Sequence, residues 1–436
     1  MKLSHVGTKM VRMSGLRGIM EDIATTTATQ ADRRWLNLGI GNPAAIPAVC
    51  DTWQELTDAA LRTSFRDVSC RYGASRGLPE LIDAVTAYFT ERYGWRIGPE
   101  HVAVGPGSQM LCFVAAALFT GPAGHGTDRL LLPVTPDYTG YQGLSLHHGG
   151  VTGVGPVVVP EGDRSFRYAA DLAAVHRQRD VGLMLVSSPS NPAGRTVPPA
   201  ELAALVADAE THDAPLVVDH AYGEPFPGID RTGTPPAWHD RVIHTFSASK
   251  AGLPGDRVGI AIGDPAYLTP IVSFLANSVL HAPQLAQATL ARALRGGALD
   301  ALVAGTIRPF YRQRRRFAER LLADALPGDV AWRLYAADGG MFAWLWVDEP
   351  WFDDLALYRT LRDRGVFVVP GRHFFVPPLG PEPAPAHTRQ CVRISITPDP
   401  DVLAEGVGHL AAALHDLRDR RPPRDRAGAP LLNARS

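Results

Sequence analysis

Between about residues 100 and 265, short apolar runs rich in Val, Leu and Ile alternate with helix-like stretches. The runs are HVAV, RLLLPV, VGLMLVS, PLVVDH, RVIHTFS and VGIAIG. Near-continuous apolar strands separated by helices predict an α/β unit built on a mostly parallel sheet. Polar groups follow the runs. Gly107, Ser108 and Gln109 come after the first, Asp137 and Tyr138 after the second, and Asn191 after the third. Asp219 and Tyr222 end the fourth, and Ser247, Ser249 and Lys250 end the fifth. Ligands bind at the carboxyl ends of strands in open parallel sheets, so this spacing predicts a site there.

MLCFVAAALF, directly after Ser108 and Gln109, is apolar almost all round and predicts a buried helix beginning at the glycine and serine. Its free N–H groups and positive dipole end would suit a phosphate, although GPGSQ taken alone reads as an ordinary helix cap. Beyond residue 300, TIRPFYRQRRRFAERLLADAL predicts a long amphipathic helix with its arginines in solvent or along a domain junction. The strands and helices after it predict a smaller α+β domain. WLNLGIGNPAAIP, from 35 to 47, is too rich in Gly and Pro for an element interior and predicts a loop feeding a shared site. The expected organisation is an N-terminal arm with part of the small domain over 1–50, a large domain over 51–295, a small domain over 296–418 and a disordered tail over 419–436.

Composition narrows the partners. A chain of 436 residues, 45% hydrophobic and 20% charged, can bury a large core. Its net charge of -1 and the lack of a basic stripe argue against nucleic acid, which leaves a small molecule as the expected partner. Cys50, Cys70, Cys112 and Cys391 have no CxxC spacing, so neither a metal site nor a disulfide framework is expected. The N-terminus has no apolar run long enough for a signal peptide or membrane span, which predicts a cytoplasmic protein.

One residue type is nearly missing. Of 43 basic residues only Lys2, Lys9 and Lys250 are lysine. Arginine stays charged, whereas a lysine amine can lose its proton and attack a carbonyl. If Lys250 forms an imine with an aldehyde cofactor, the chemistry needs a phosphate cradle, a carboxylate for a ring nitrogen, donors to a ring oxygen and an aromatic face. Asp219 could hold the ring nitrogen protonated, Asn191 and Tyr222 could donate to the oxygen, and Tyr138 could stack on the ring. Taken singly, each of these is an ordinary strand-end, turn or core-edge residue.

SASKAGLPGDRVG, SSPSNPAG and VVDHAYG, in that family's order and approximate spacing, resemble the motifs of pyridoxal-phosphate-dependent aminotransferases of fold type I, class I/II. The resemblance spans about residues 10 to 420. Within the family, LGIGNPAAIP, PDYTGY, DHAYGEPFPGI and VPGRHFF are most similar to valine–pyruvate aminotransferases. It implies transfer of an amino group between a small, mostly apolar amino acid and a 2-oxo acid, with pyridoxal 5'-phosphate as cofactor. It further implies that Lys250 carries the cofactor as a Schiff base and shuttles a proton, with Asp219 and Tyr222 assisting. Gly107, Ser108, Gln109, Ser247, Ser249 and Arg257 would form the phosphate cradle. Tyr72 would reach that phosphate from the partner subunit of a homodimer. Arg393, with Gly41 beside it, would grip the substrate carboxylate. His220, where a small polar residue is expected, would buttress Asp219. Elimination or replacement at the β or γ carbon of an amino acid, with S-adenosylmethionine among the candidate substrates, stays open on the same residues. A transcriptional sensor would need a DNA-binding module that the arm before Trp35 is too short to supply.

Overall fold

A computed structural model describes residues 2–11, 15–123, 126–376 and 385–419. Sixteen strands occur among them. The first five are β1 (Leu36–Asn37), β2 (Val102–Gly105), β3 (Gly121–Ala123), β4 (Gly126–Leu132) and β5 (Val151–Gly153). A hairpin follows, β6 (Val157–Glu161) and β7 (Ser165–Ala169). Next come β8 (Val181–Ser187), β9 (Leu216–Asp219), β10 (Val242–Ser247) and β11 (Gly259–Ile262). The last are β12 (Trp332–Tyr335), β13 (Phe342–Val347), β14 (Val366–Phe367), β15 (Val369–Pro370) and β16 (Cys391–Ser395).

All six apolar runs become strands of one sheet, ordered β2-β11-β10-β9-β8-β4-β3, with β5 beside β4. Strands β2, β9, β10 and β11 are buried at every position, as a sheet covered on both faces requires. Strands β4, β5, β8, β9 and β10 pair in parallel, while β11 runs antiparallel to both neighbours. The reversal has a consequence for the site. An antiparallel strand starts where its neighbours end, so the residues just before β11 return to the edge where β10 and β2 finish.

A second sheet, β15-β16-β13-β12-β7-β6, carries the C-terminal part of the chain. Its last two strands come from within the span expected to form the large domain. The 157–169 hairpin crosses over and pairs through β7 with β12, burying Phe166 and Tyr168. N-terminal β1 pairs in parallel with β14. The final helix, Pro400–Asp419, includes Asp419, and residues 420–436 of the expected tail lie outside the described residues.

The arginine-rich stretch forms helix Arg308–Ala325. Its arginines are not all solvated. Arg315 is buried and donates to the carbonyls of Phe342, Gly339 and Gly340 at 3.2, 2.6 and 2.9 Å, which helps to satisfy that turn.

Candidate active site

Strand register sets the floor of the site. Ser187, Asp219 and Thr245 are side by side at the ends of β8, β9 and β10. Thr245 Oγ1 donates to Asp219 Oδ1 at 3.0 Å, and Tyr141 donates its hydroxyl to Asp219 Oδ2 at 2.8 Å. Burial raises the Asp219 pKa, and these two bonds and the Ala221 backbone N–H oppose that rise. Above this floor is a cavity of about 440 Å³.

Lys250 follows β10 in a short 3-10 turn and enters the cavity. Its Nζ donates to Gly41 O at 2.7 Å and stands 5.9 Å from the centre of the Tyr222 ring. Burial, aided by the charges of Arg393 and Arg257, brings its pKa down to about 8. The loop 35–47 therefore does feed the site, through the Gly41 carbonyl.

At the opposite end, donors converge. Helix Ser108–Phe119 starts at the cavity wall, capped by Gly107 at φ 86°. A Cβ on Gly107 would collide with the Arg257 guanidinium, and one on Gly259 would strike the Gly107 backbone. Ser247 Oγ donates to Ser249 Oγ at 2.9 Å, and Arg257 Nη1 donates to Ser249 Oγ at 3.4 Å. Arg257 immediately precedes Val258 and β11, which the antiparallel direction returns to this edge.

Arg393, in β16, is buried, and among the described residues it has no carboxylate partner. It donates to Asn191 Oδ1 at 3.1 Å and to Gly39 O at 2.8 Å, and stacks 4.1 Å over Phe342. Its Nε is buried without a partner, and burial brings its pKa down to about 10. A desolvated guanidinium with a spare donor is suited to a carboxylate.

The cavity thus brings together Gly41, Ser108, Gln109, Tyr138, Asn191, Asp219, Tyr222, Ser247, Ser249, Lys250, Arg257 and Arg393. Gly41 meets Lys250 there, while Gly39 is the glycine that contacts Arg393. Tyr72 is elsewhere, 87% exposed, with its ring edge on His281 at 6.1 Å. His220 does not buttress Asp219: its Nε2 meets His244 Nδ1 at 3.0 Å and its ring stacks on Phe246. A residue following a strand-end Asp points to the other side of the sheet, which accounts for the difference.

Residues not anticipated as site members are Tyr141, Thr245, Ser187 and Met20. Tyr141 stood in the quoted PDYTGY, three residues after Tyr138, and its ring meets Tyr138 edge-on at 5.2 Å. Buried Asp137 accepts from Tyr138 N at 2.6 Å, from Ser187 N at 3.0 Å and from the Ser187 hydroxyl.

The family model for aminotransferases of class I and II matches residues 33–410. The chain belongs to this family. It is 34% identical over 415 residues to the valine–pyruvate aminotransferase of Escherichia coli K12, covering 94% of this chain and 97% of that one. The valine–pyruvate aminotransferase of Salmonella typhimurium LT2 superimposes with a TM-score of 0.83 at 31% identity, over 93% of this chain and 100% of that one. A chain from Psychrobacter arcticum 273-4 superimposes with a TM-score of 0.90 at 29% identity, over 97% of this chain and 100% of that one. The fold is fold type I, the protein is a transferase, and its cofactor is pyridoxal 5'-phosphate. The donor set fits this aminotransferase cofactor: serines, an arginine and a helix N-terminus at one end, with Asp219 the single acid among the described lining residues.

Proposed function

We propose that this aminotransferase moves an amino group from valine, or a similarly small apolar amino acid, to pyruvate or a similar 2-oxo acid. The observation that carries the reading is the placement of Lys250 Nζ, Asp219 and the unpartnered Arg393 Nε around one cavity. The resemblance to valine–pyruvate aminotransferases supports the choice of substrate.

Pyridoxal 5'-phosphate, when bound, supplies an aldehyde for the amine and a ring that accepts electrons. Ser108, Gln109, Ser247, Ser249 and Arg257, with the Gly107 turn, would hold its phosphate. Tyr138 would stack on its ring. Asp219 would keep the ring nitrogen protonated, and Asn191 and Tyr222 would donate to the ring oxygen. Arg393 would orient the substrate carboxylate through two parallel bonds. Lys250 Nζ, with its lowered pKa, would take the proton from the substrate α-carbon and deliver it to the carbon that was the cofactor's aldehyde, the shift that amino transfer requires. Tyr72 is exposed and available to a second copy, which supports a homodimer with a shared site. A cytoplasmic location, and a division near residues 50 and 295 into large and small domains, complete the reading. Among the described residues no helix is long and apolar enough to cross a membrane.

The test is a single half-reaction. Valine added to the loaded enzyme without acceptor should release one equivalent of its 2-oxo acid per site, and pyruvate should then be recovered as alanine. No oxo acid from any amino acid, with cofactor bound, would overturn transamination. Arg393→Lys should raise KM for both valine and pyruvate about a hundredfold, because an ammonium cannot reproduce the planar two-bond grip.

A further inference from the structure

A second cavity of about 350 Å³ shares no lining residue with the first. It is bounded by helix Arg308–Ala325, the Gly339-Gly340 turn and the segment 229–231. Five arginines line it, Arg231, Arg308, Arg312, Arg315 and Arg316, against two acids, Asp230 and Glu319.

The acids are outnumbered. Asp230 Oδ1 accepts from Thr232 N and Oγ1 at 2.8 Å each. Arg308 is matched from outside the lining by Glu224. Arg315 is 5% exposed and bonded only to carbonyls, which satisfy its donors and leave its charge in place. Its Nε takes part in none of these bonds. Burial and the nearby Arg231 bring its pKa down to about 10, and Glu319 one turn further on offsets part of this.

The spacing adds to the imbalance. Arg308, Arg312 and Arg316 succeed one another at intervals of four, which places like charges on one helix stripe. Arg312 and Arg316 are exposed, and neither has an ion pair among the described residues. With Arg308 matched by Glu224, the other four lining arginines still outnumber the two lining acids, which leaves the concavity positive.

We propose that this cavity binds a small oxyanion of two or more negative charges, a phosphate or a dicarboxylate, held by Arg231, Arg312 and Arg316 above Arg315. Planar guanidinium groups give such an anion paired N–H donors, and the cavity is large enough for a small metabolite. This site is independent of the substrate assignment above.

The test is calorimetric titration of the loaded enzyme at low ionic strength, with inorganic phosphate in one arm and succinate in the other. One arm should saturate at one ion per chain, and the tighter arm identifies the anion. The Arg312→Gln/Arg316→Gln double variant should lose at least about tenfold in that affinity, since it removes two charged donors of the ion's paired bonds. Its half-reaction with valine should keep the wild-type rate. These two side chains are exposed, so the variant should fold normally, which its melting temperature checks. Absence of saturable binding in both arms overturns the proposal. So does a double variant that binds like wild type, because the ion would then occupy the active site.

Discussion

The Tyr141 hydroxyl donates to Asp219 Oδ2 at 2.8 Å, in a place where both groups are fully buried. Burial raises the Asp219 pKa, and this bond is first among those that oppose it. Tyr141→Phe removes a donor to the ionised form without changing the ring's volume. Asp219 should then protonate more readily and hold a ring cation less well. A hydrogen bond to a charged group contributes about 1.5–3 kcal/mol, so kcat should fall about tenfold or more. Steady-state turnover at neutral pH measures this, and wild-type turnover in the variant would show that Asp219 does not depend on Tyr141.

Much of this arrangement could be read before the fold was known, for a physical reason. Strands buried on both faces leave continuous apolar runs, and VGLMLVS or PLVVDH could hardly be anything else once flanked by helices. Strand direction leaves no such mark, so the reversal of β11 was not legible, although the motif had already placed Arg257 in the phosphate cradle. The 157–169 hairpin was hidden because β6 is a largely exposed strand, with Val157 and Val159 at the surface. Lys250, Asp219, Asn191 and Arg393 stood out through motifs. Thr245 could not, because a buried threonine is common, and only strand register brings it beside Asp219.

The low Lys250 pKa sets how the apoenzyme takes up its cofactor. Attack on an aldehyde needs the neutral amine, and burial with Arg393 and Arg257 nearby brings the Nζ pKa to about 8. The uptake rate, followed by absorbance in stopped flow, should rise with the free-amine fraction and level off above pH about 8. An unperturbed lysine would keep climbing to pH about 10. Lys250→Arg should leave a protein that never attaches the cofactor covalently, because its guanidinium stays protonated.

Asp137 links stability to pH. Burial raises its pKa to about 7, although three donors stabilise its charge. In the unfolded chain the same group titrates near 3.9, so between these values the folded state holds a proton that the unfolded state has released. Its contribution is therefore present below pH about 4 and is lost as pH rises to about 7, by at most on the order of 4 kcal/mol. Asp137→Asn cannot titrate. Between pH 5 and 8 its apoenzyme should show a shallower fall in Tm than wild type, by several degrees. Parallel Tm curves for the two proteins would show that Asp137 stays ionised when folded.

Met20 brings an apolar side chain into a cavity whose other walls are mostly polar or aromatic. It projects from helix Gly15–Thr29, which Asp22 fastens by accepting from Arg362 Nη1 at 3.1 Å and from the Tyr358 hydroxyl at 2.6 Å. Tyr138, Tyr141, Ala221 and Tyr222 cluster about Asp219 and Lys250, where the cofactor ring would lie. That leaves Met20 as the flexible contact for an aliphatic substrate side chain. Met20→Ala removes roughly one to two methylene equivalents of contact, about 1 kcal/mol. The ratio of kcat/KM for valine over alanine should drop about fivefold, mostly through KM for valine, with cofactor content unchanged. Asp22→Asn, which loosens the helix and leaves Met20 in place, should shift the same ratio in the same direction by a smaller factor. An unchanged ratio in both variants would place the side-chain contact elsewhere in the cavity.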